Sequence, residues 1–457
     1  MTDIPRLIFT APYSAGGKTT FTCGFLLALQ KRGLLPAAFK CGPDYVDAAY
    51  HKAVMGGETA NIDLFFGGGA DLVRGLVAEN SRGADIAVIE GVMGYYDGAG
   101  GVTTISSTWD MACQLEAPAV LILHARGITQ TLSALAQGLI SFRQPSRLGG
   151  LLLNCCRPSL FKKLAPLLEK DCGLPVLGYL PPRDDYGFKS RNLGLYLPGE
   201  LDNFQGRIES LAGQMEETLD MGALLALARS APPLAAGLWP ELVPLANGEL
   251  TIAVARDEAF SFYYDENLSL MRRLGARLLP FSPLRDKALP EGVSGLYLGG
   301  GYIEVKARDL AANAAMRRSI LRAFQKGLPT IAEGGGFMYL SQSLVDGEGR
   351  TQPMVGALPG VCRQGDKRAR FGYITVTAEK DNLLCRRGES IAAHEFHEWD
   401  SDEPGADFKA RKPADERNWA CALAGETYYA GFPQMYFYNQ PDFLRRFIIK
   451  ASEYRPD

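Results

Sequence analysis

The sequence lacks the features expected of a membrane protein, a secreted protein or a nucleic-acid-binding protein. None of its 457 residues fall in an apolar run of about 18, which is roughly what a membrane-spanning helix needs. The nine cysteines include no CxxC pair, and the formal net charge is only −3. The first residues also lack the charged and apolar segments of a signal peptide. These absences predict a cytoplasmic protein with reduced thiols and without a membrane or nucleic-acid partner.

Length and composition indicate a folded chain with more than one domain. The hydrophobic content is 47% and the charged content 22%, values typical of globular proteins. Short apolar runs alternate with helical stretches, which predicts parallel sheets covered by helices. A proline-rich stretch without helical periodicity starts at Ser230. We predict an α/β domain over 1–229, a linker over 230–248 and a second α/β domain over 249–457. The predicted strands are 6–10, 37–40, 86–90, 120–123, 150–154, 176–180, 250–255, 295–298 and 330–332, and the first predicted helix is 19–32.

A glycine-rich segment follows the first predicted strand, and Gly17-Lys18-Thr19 opens the first predicted helix. This pattern is typical of the phosphate-binding part of a P-loop. There backbone N–H groups hold phosphate, the lysine reaches the β- and γ-phosphates, and the threonine hydroxyl binds Mg²⁺. The full pattern requires glycine where this chain has Pro12, so a glycine-rich turn with a surface lysine is the alternative. The candidate nucleotide-binding residues are Ser14, Gly16, Gly17, Lys18, Thr19 and Thr20.

Charged residues follow several predicted strands, at the edge where an open α/β sheet binds its ligands. Glu90 ends an apolar strand opposite the P-loop and is a candidate Mg²⁺ ligand. Single aspartates in such places more often cap helices or form turns, but together they favour a metal–phosphate site. The candidates are Lys40, Asp44, Asp47, Asp63, Glu90 and Asp97.

Segments 39–47 (Phe-Lys-Cys-Gly-Pro-Asp-Tyr-Val-Asp) and 90–98 (Glu-Gly-Val-Met-Gly-Tyr-Tyr-Asp-Gly) resemble the cobyrinic acid a,c-diamide synthase family. The resemblance continues at 181–183, 191–195, 253–268, 299–304 and 394–397, and so covers nearly the whole chain. Members of that family are ATP-dependent amidoligases that convert acetate side chains of corrinoid precursors into amides. The resemblance implies a P-loop NTPase-type parallel-sheet domain, similar to dethiobiotin synthetase, followed by a class I glutamine amidotransferase-like α/β domain.

The resemblance also implies roles for the candidates in the first domain. ATP would phosphorylate a substrate carboxylate, and ammonia would then displace phosphate, in a reaction that depends mainly on positioning and charge neutralisation. Asn154 would read the adenine edge, with a strand-end cap as the alternative. His124 and Asn192 depart from the family pattern, in which an acidic residue and a histidine are expected. The expected catalytic residues are Lys18, Lys40, Asp44 and Asp97, the expected Mg²⁺ ligands Thr19, Asp47 and Glu90, and the expected substrate contacts Tyr45, Asp63 and Arg191.

The glutaminase site implied for the second domain lacks its two reactive residues. The family pattern Ala-Glu-Cys-Gly-Gly reads Ala-Glu-Gly-Gly-Gly here, with Gly334 at the nucleophile position. Gln434 occupies the position of the catalytic histidine, and no histidine follows His397. Loss of a nucleophile alone lowers such a rate by about 10⁶-fold. We therefore predict natural divergence to a protein without glutaminase activity, which takes ammonia from solution or from a separate glutaminase.

The motif His394-Glu395-Phe396-His397 allows two interpretations. A spacing of three would place both imidazoles on one face of a helix, as in a metal site. The spacing differs from that of the HExxH zinc motif, and the resemblance favours a structural role that couples the domains.

Other functions remain open at this point. The chain could be a related enzyme that amidates a different tetrapyrrole, such as sirohydrochlorin. It could also be a tetrapyrrole-binding protein that has lost catalytic activity. A ParA-like regulatory ATPase would leave the second domain unexplained. Retention of Lys18, Thr19 and Glu90 favours an active enzyme. The resemblance is also compatible with a homodimer.

Overall fold

The chain folds into two compact units, Met1–Trp239 and Pro240–Asp457. The computed structural model describes residues 2–183, 185, 188, 190–191, 194–246, 249–365, 370–413 and 415–455. Within these ranges no helix is both long and apolar enough to cross a membrane. Each unit contains a largely parallel sheet with helices, which confirms the predicted α/β class.

The first unit contains a seven-stranded parallel sheet and a short two-stranded antiparallel sheet. Its strands are β1 (Arg6–Thr10), β2 (Pro36–Cys41), β3 (Ala60–Ile62), β4 (Ile86–Glu90), β5 (Ala119–His124), β6 (Leu148–Asn154), β7 (Val176–Tyr179), β8 (Ser190–Arg191) and β9 (Gly194–Leu195). Its helices are α1 (Lys18–Lys31), α2 (Tyr45–Met55), α3 (Ala70–Asn80), α4 (Thr108–Gln114), α5 (Thr131–Phe142), α6 (Pro158–Cys172), α7 (Phe204–Thr218) and α8 (Met221–Arg229). The sheet has the order β3-β2-β4-β1-β5-β6-β7. The apolar strands β1 and β4 are buried along their whole length, as expected for a sheet covered on both faces.

The strand order of this sheet creates a ligand-binding edge. The chain passes from β1 to β2 on one side, whereas β5, β6 and β7 lie on the other side of β1. Loops that follow strands on the two sides of such a switch point diverge and leave a crevice at the carboxyl ends of the strands. The loop after β1, the end of β4 at Glu90 and the end of β6 at Asn154 all lie at this edge.

A buried arginine ties the end of the first unit to its first strand. Arg6 is fully buried, and its guanidinium donates to the carbonyl oxygens of Leu115 at 2.7 Å, Ile4 at 3.0 Å and Pro232 at 2.8 Å. A buried guanidinium is tolerated when its N–H groups have acceptors, since an unpaired charge would be strongly unfavourable. The first residues of the segment predicted as a linker therefore contact the first unit.

The second unit contains a parallel sheet and two smaller sheets. Its strands are β10 (Thr251–Ala255), β11 (Arg277–Phe281), β12 (Gly295–Leu298), β13 (Thr330–Glu333), β14 (Ser343–Val345), β15 (Thr351–Pro353), β16 (Val361–Gln364), β17 (Arg370–Ala378), β18 (Ser390–His397), β19 (Trp399–Ser401), β20 (Phe408–Arg411), β21 (Asn418–Cys421), β22 (Leu423–Ala424), β23 (Tyr428–Gly431) and β24 (Gln434–Met435). Its helices are α9 (Asp265–Arg273), α10 (Ala307–Ala312), α11 (Ala314–Gln325), α12 (Gly335–Leu340) and α13 (Pro441–Glu453). The main sheet has the order β11-β10-β12-β13-β23-β22, with only β22 antiparallel to its neighbour.

The helical interpretation of the His394–His397 motif is wrong. These residues end β18, which pairs with β17 through eight antiparallel residue pairs in the sheet β21-β20-β17-β18-β24. Side chains alternate between the two faces of a strand, so His394 and His397 point to opposite faces. Among the residues that the structure describes, no group of three or more His, Cys, Asp or Glu side chains could hold a metal ion.

Candidate functional site

The loop after β1 has the backbone shape of a phosphate-binding turn. Gly17 immediately precedes α1 with φ at 103°, in the left-handed region that favours glycine. A Cβ at this position would lie 2.2 Å from Nδ2 of Asn154, so a side chain is also excluded by space. Asn154 Nδ2 donates to the carbonyl oxygen of Gly16 at 3.1 Å, and its Oδ1 accepts from the N–H of Cys155 at 2.9 Å. Asn154 thus stabilises the loop after β1 through its hydrogen bond to Gly16. Its contact with adenine stays a prediction.

Lys18 folds back over this loop and is almost completely buried. Its Nζ donates to the carbonyl oxygens of Met93 at 2.6 Å and Tyr13 at 3.3 Å. Burial, together with the neighbouring Lys40 ammonium, lowers the pKa of Lys18 to about 8. Lys18 is also the first residue of α1, and backbone N–H groups at the start of a helix can bind phosphate.

Glu90 is the centre of a buried polar cluster at the end of β4. Its Oε1 accepts from Thr19 Oγ1 at 2.7 Å and from Lys40 Nζ at 3.0 Å, while Oε2 lies 2.6 Å from His51 Nε2. Burial alone would raise the pKa of Glu90, but Lys40, His51 and Thr19 outweigh it and lower the pKa below its usual range. Glu90 is therefore an ionised carboxylate inside the protein.

Lys40 joins the two carboxylates of this cluster. Its Nζ lies 2.7 Å from Asp47 Oδ2 and donates to the carbonyl oxygen of Gly91 at 3.0 Å, in addition to its contact with Glu90. Burial opposes the charged form of Lys40, but Asp47 and Glu90 raise its pKa above the ordinary value. The structure thus brings together Thr19, Lys40, Asp47 and Glu90, all of which were predicted from sequence.

The oxygen atoms of this cluster fit a magnesium ion that accompanies a nucleotide. Mg²⁺ is usually bound by one or two carboxylates together with phosphate oxygens and water. The Thr19 hydroxyl and the Glu90 carboxylate are already adjacent, and Asp47 lies across the Lys40 ammonium. A complete cage of protein ligands is not required for such an ion, so two or three oxygen donors are sufficient.

Three predicted aspartates have local structural roles. Asp44 Oδ1 accepts from two backbone N–H groups in the first turn of α2, both at 3.0 Å, and so caps that helix. Asp63 is buried and accepts from the next turn at 2.8 and 3.0 Å, and exposed Asp97 accepts from the N–H of Gly94 at 2.9 Å. Such contacts are the capping and turn roles that the sequence also allowed. Further roles of these residues toward ATP or substrate stay predictions.

The other predicted residues of this site lie in four places. Ser14 is exposed in the loop, Thr20 is half-buried in α1, and Tyr45 is the half-buried first residue of α2. Arg191 lies in β8, and the structure describes only its backbone. Asn192 lies outside the described residues.

His51 is a site residue that the sequence analysis missed. It lies on α2, one helical turn after Asp47, and is fully buried. Residues four apart share a helix face, so the spacing of Asp47 and His51 was a usable signal. The contact with Glu90 depends on how α2 packs against α1 and β2, which local sequence does not encode.

The turn between β13 and α12 keeps the shape of a nucleophile-bearing turn. Gly334 has φ at 55° and ψ at −113°, and its N–H donates to the carbonyl oxygen of Gly431 at 2.8 Å. A Cβ at Gly334 would lie 3.1 Å from Gln434 Nε2, and a Cβ at Gly300 would lie 2.4 Å from the same atom. The Gln434 carboxamide therefore occupies the space between the turn and Gly300.

Two buried side chains hold Gln434 in place. Glu333 accepts from the N–H of Met435 at 2.8 Å and from the Tyr297 hydroxyl at 2.7 Å, and burial raises its pKa to about 7. Asn267 donates to the carbonyl oxygen of Met435 at 2.7 Å and accepts from the N–H of Phe437 at 2.8 Å. The segment that carries Gln434 is therefore fixed on both sides.

His394 lies directly opposite Gln434 in the pairing of β18 with β24. Burial, with smaller effects from Lys412 and His397, lowers the pKa of His394 to about 3, so its imidazole is neutral. His394 lies 40 residues before Gln434 in the sequence, so the residues around Gln434 give no sign of it. No nucleophilic side chain accompanies it at Gly334.

The rest of the motif at the end of β18 supports the sheet. His397 Nδ1 lies 2.6 Å from the carbonyl oxygen of Trp399, and its ring stacks on Phe432 with ring centres 3.9 Å apart. Glu395 is fully buried, and burial raises its pKa to about 7. The contacts of His397 are those of a packed structural residue.

Each half of the chain matches a known domain family. Residues 7–192 match the CobQ/CobB/MinD/ParA nucleotide binding domain, and residues 251–418 match the CobB/CobQ-like glutamine amidotransferase domain. The fold assigned to each half from sequence is thereby confirmed.

Relatives match along almost the whole of this chain and of their own length. The chain is 39% identical over 445 residues to cobyrinate a,c-diamide synthase of Salmonella typhimurium, which covers 96% of both proteins. It is 36% identical over 446 residues to the protein of that name from Caldanaerobacter subterraneus, with 97% of both covered. The protein of that name from Listeria innocua is 34% identical over 444 residues, with 96% of this chain and 98% of the relative covered.

Proposed function

The chain belongs to the cobyrinate a,c-diamide synthase family, and from this we propose that it amidates acetate carboxylates of a corrinoid with ATP and Mg²⁺. A substrate carboxylate oxygen would attack the γ-phosphorus of ATP, which releases ADP and forms an acyl phosphate. Ammonia would then attack the acyl carbon, and phosphate would leave with the electron pair of the broken C–O bond. The observation that carries this proposal is the P-loop turn at Gly17, which opens beside the buried Glu90 cluster.

The chain's own groups have distinct parts in this reaction. The N–H groups at the start of α1 and the Lys18 ammonium would hold the phosphates, in line with the position of Lys18 over the loop. Thr19, Glu90 and Asp47 would hold Mg²⁺, which supplies positive charge against the phosphate oxygens. Lys40 offsets the negative charge of Glu90, and it also contacts Asp47, whose pKa is raised by burial.

We propose ammonia itself as the nitrogen donor. Gly334 offers no nucleophile to attack a glutamine amide. The nitrogen of the Gln434 carboxamide donates hydrogen bonds and does not accept a proton, so it is no substitute for a basic imidazole. Support also comes from the position of that carboxamide, which fills the space beside the turn.

A single assay separates the possible functions. The protein is incubated with ATP, Mg²⁺ and a corrinoid acid or sirohydrochlorin, with either glutamine or ammonium, and the product mass is measured. We expect corrinoid product in which OH is replaced by NH₂ only when ammonium is present. Product with glutamine alone would contradict the nitrogen source, and product only from sirohydrochlorin would contradict the substrate. Absence of ATP hydrolysis with every tetrapyrrole would instead favour a binding protein.

A further inference from the structure

His51 contacts the Glu90 cluster through a single atom. Its Nε2 lies 2.6 Å from Glu90 Oε2, and both side chains are completely buried. Its other ring nitrogen, Nδ1, has no hydrogen-bond partner among the described residues. The imidazole is therefore held by Glu90 and by packing, and its polar contact is directed at one carboxylate oxygen.

This hydrogen bond defines the orientation of the Glu90 carboxylate. Thr19 and Lys40 both donate to Oε1, whereas His51 contacts Oε2. A carboxylate held at one oxygen can rotate about its terminal torsion, which is broad for glutamate. With donors on both oxygens, the plane of the carboxylate and its remaining lone pairs are fixed.

The hydrogen-bond pattern also indicates which ring nitrogen carries a proton. Glu90 is ionised and can only accept a hydrogen bond, so Nε2 of His51 carries the proton that it donates. His51 thus acts as a hydrogen-bond donor to an ionised carboxylate.

We propose that His51 is a positioning residue that orients Glu90 toward the divalent cation bound with the nucleotide. The inference rests on the proposed function only in requiring that this site binds a cation together with a nucleotide. Histidine and carboxylate partners outside a metal's direct ligands commonly change metal affinity by 10- to 100-fold. Asp47, one turn earlier on α2, connects the same helix to Lys40, so α2 contributes to both sides of the cluster.

The test compares three variants of His51. In H51Q the longer side chain can place an N–H donor near the position of Nε2, whereas the Asn side chain of H51N is too short and H51L has no donor. The affinity for Mn²⁺ in the presence of ADP is measured by electron paramagnetic resonance, and thermal unfolding is recorded for each variant. We expect H51L and H51N to bind Mn²⁺ about 10- to 100-fold more weakly, and H51Q to stay within about threefold of the parent.

A purely structural histidine gives a different pattern. In that case H51L would unfold at a lower temperature but its folded form would bind Mn²⁺ as the parent does, which would overturn the proposal. If H51L does not fold, equal Mn²⁺ affinities of H51N and H51Q would overturn it as well. The measurement of Mn²⁺ affinity needs no tetrapyrrole. Failure of the amidation assay would therefore count against the proposed function, while the Mn²⁺ affinities would still decide the role of His51.

Discussion

Lys40 and Glu90 are register partners on the adjacent parallel strands β2 and β4, and their side chains form a buried salt bridge of 3.0 Å. Both strands belong to the interior of the sheet, so the positions of the two charges are set by backbone hydrogen bonds. Groups carried by strands are held more accurately than groups carried by loops. The strands therefore hold these two side chains in fixed positions within the candidate nucleotide site.

Replacement of Lys40 should affect folding more than replacement of Lys18. K40M leaves the buried Glu90 carboxylate without its ammonium partner, and loss of one member of such a pair typically costs about 3–5 kcal/mol of stability. Among the residues that the structure describes, Lys18 instead donates only to two backbone carbonyls, so K18M should retain most stability and lose ADP binding. Urea unfolding and calorimetric ADP titration measure the two effects. Equal destabilisation by K40M and K18M would contradict this assignment of roles.

Nucleotide affinity should decrease at alkaline pH because of Lys18. Its pKa is lowered from 10.5 to about 8, so the ammonium form that attracts phosphate is lost as the pH rises through 8. If phosphate binding requires the ammonium, the dissociation constant for ADP should increase by about tenfold between pH 8 and 9.5. Calorimetric titrations at several pH values check this expectation. The matched variant K18R keeps its charge, so an equally steep pH dependence in K18R would exclude Lys18 as the cause.

We expect glutaminase activity only from a variant in which Gly334 and Gln434 are replaced together. G334C supplies a thiol on a turn that already has the required backbone shape, and its Cβ would lie 3.1 Å from Gln434 Nε2 and 3.7 Å from the Cα of Gly300. The thiol needs a base, which the carboxamide does not provide, so Q434H is required as well. We expect ammonia release from glutamine by the double variant and none by G334C alone. Activity of G334C alone would indicate that His394, opposite Gln434, serves as the base.

The buried carboxyl of Glu395 should make the stability of the second unit depend on pH. Its pKa is raised from 4.5 to about 7 by burial, so the folded form binds a proton more readily than the unfolded form. This contribution to the free energy of unfolding is complete below pH 4.5 and is lost as the pH rises through 7. The free energy of unfolding of the parent, measured relative to that of E395Q, should fall by up to about 3 kcal/mol between pH 4.5 and 8. Urea unfolding of both proteins across this range would reveal a constant difference if the prediction is wrong.

The apolar strands and the glycine turns of the first unit were predictable because their signals are local. Strand β4 is apolar up to its last residue, Glu90, and Gly17-Lys18-Thr19 marks the start of α1, so both could be located without knowledge of tertiary structure. Strands β1 and β4 agree with the predicted ranges residue for residue.

Contacts that depend on packing were not predictable in the same way. His51 meets Glu90 and His394 meets Gln434 across 39 and 40 residues of sequence, through elements whose arrangement is set by the whole fold. The spacing of His394 and His397 fits one face of a helix, but the long pairing of β18 with β17 determines the strand. Local spacing cannot distinguish these two outcomes.

The three carbonyl contacts of Arg6 define how the first unit can be isolated. A recombinant fragment that stops at 229, where sequence alone places the domain boundary, would remove the Pro232 acceptor and expose the guanidinium pocket. A fragment that extends to Trp239 retains that acceptor and the backbone bond from Leu238 to Asp71. Nucleotide affinities measured on the shorter fragment would underestimate those of the intact unit, because its first strand would be weakened at the end opposite the ligand.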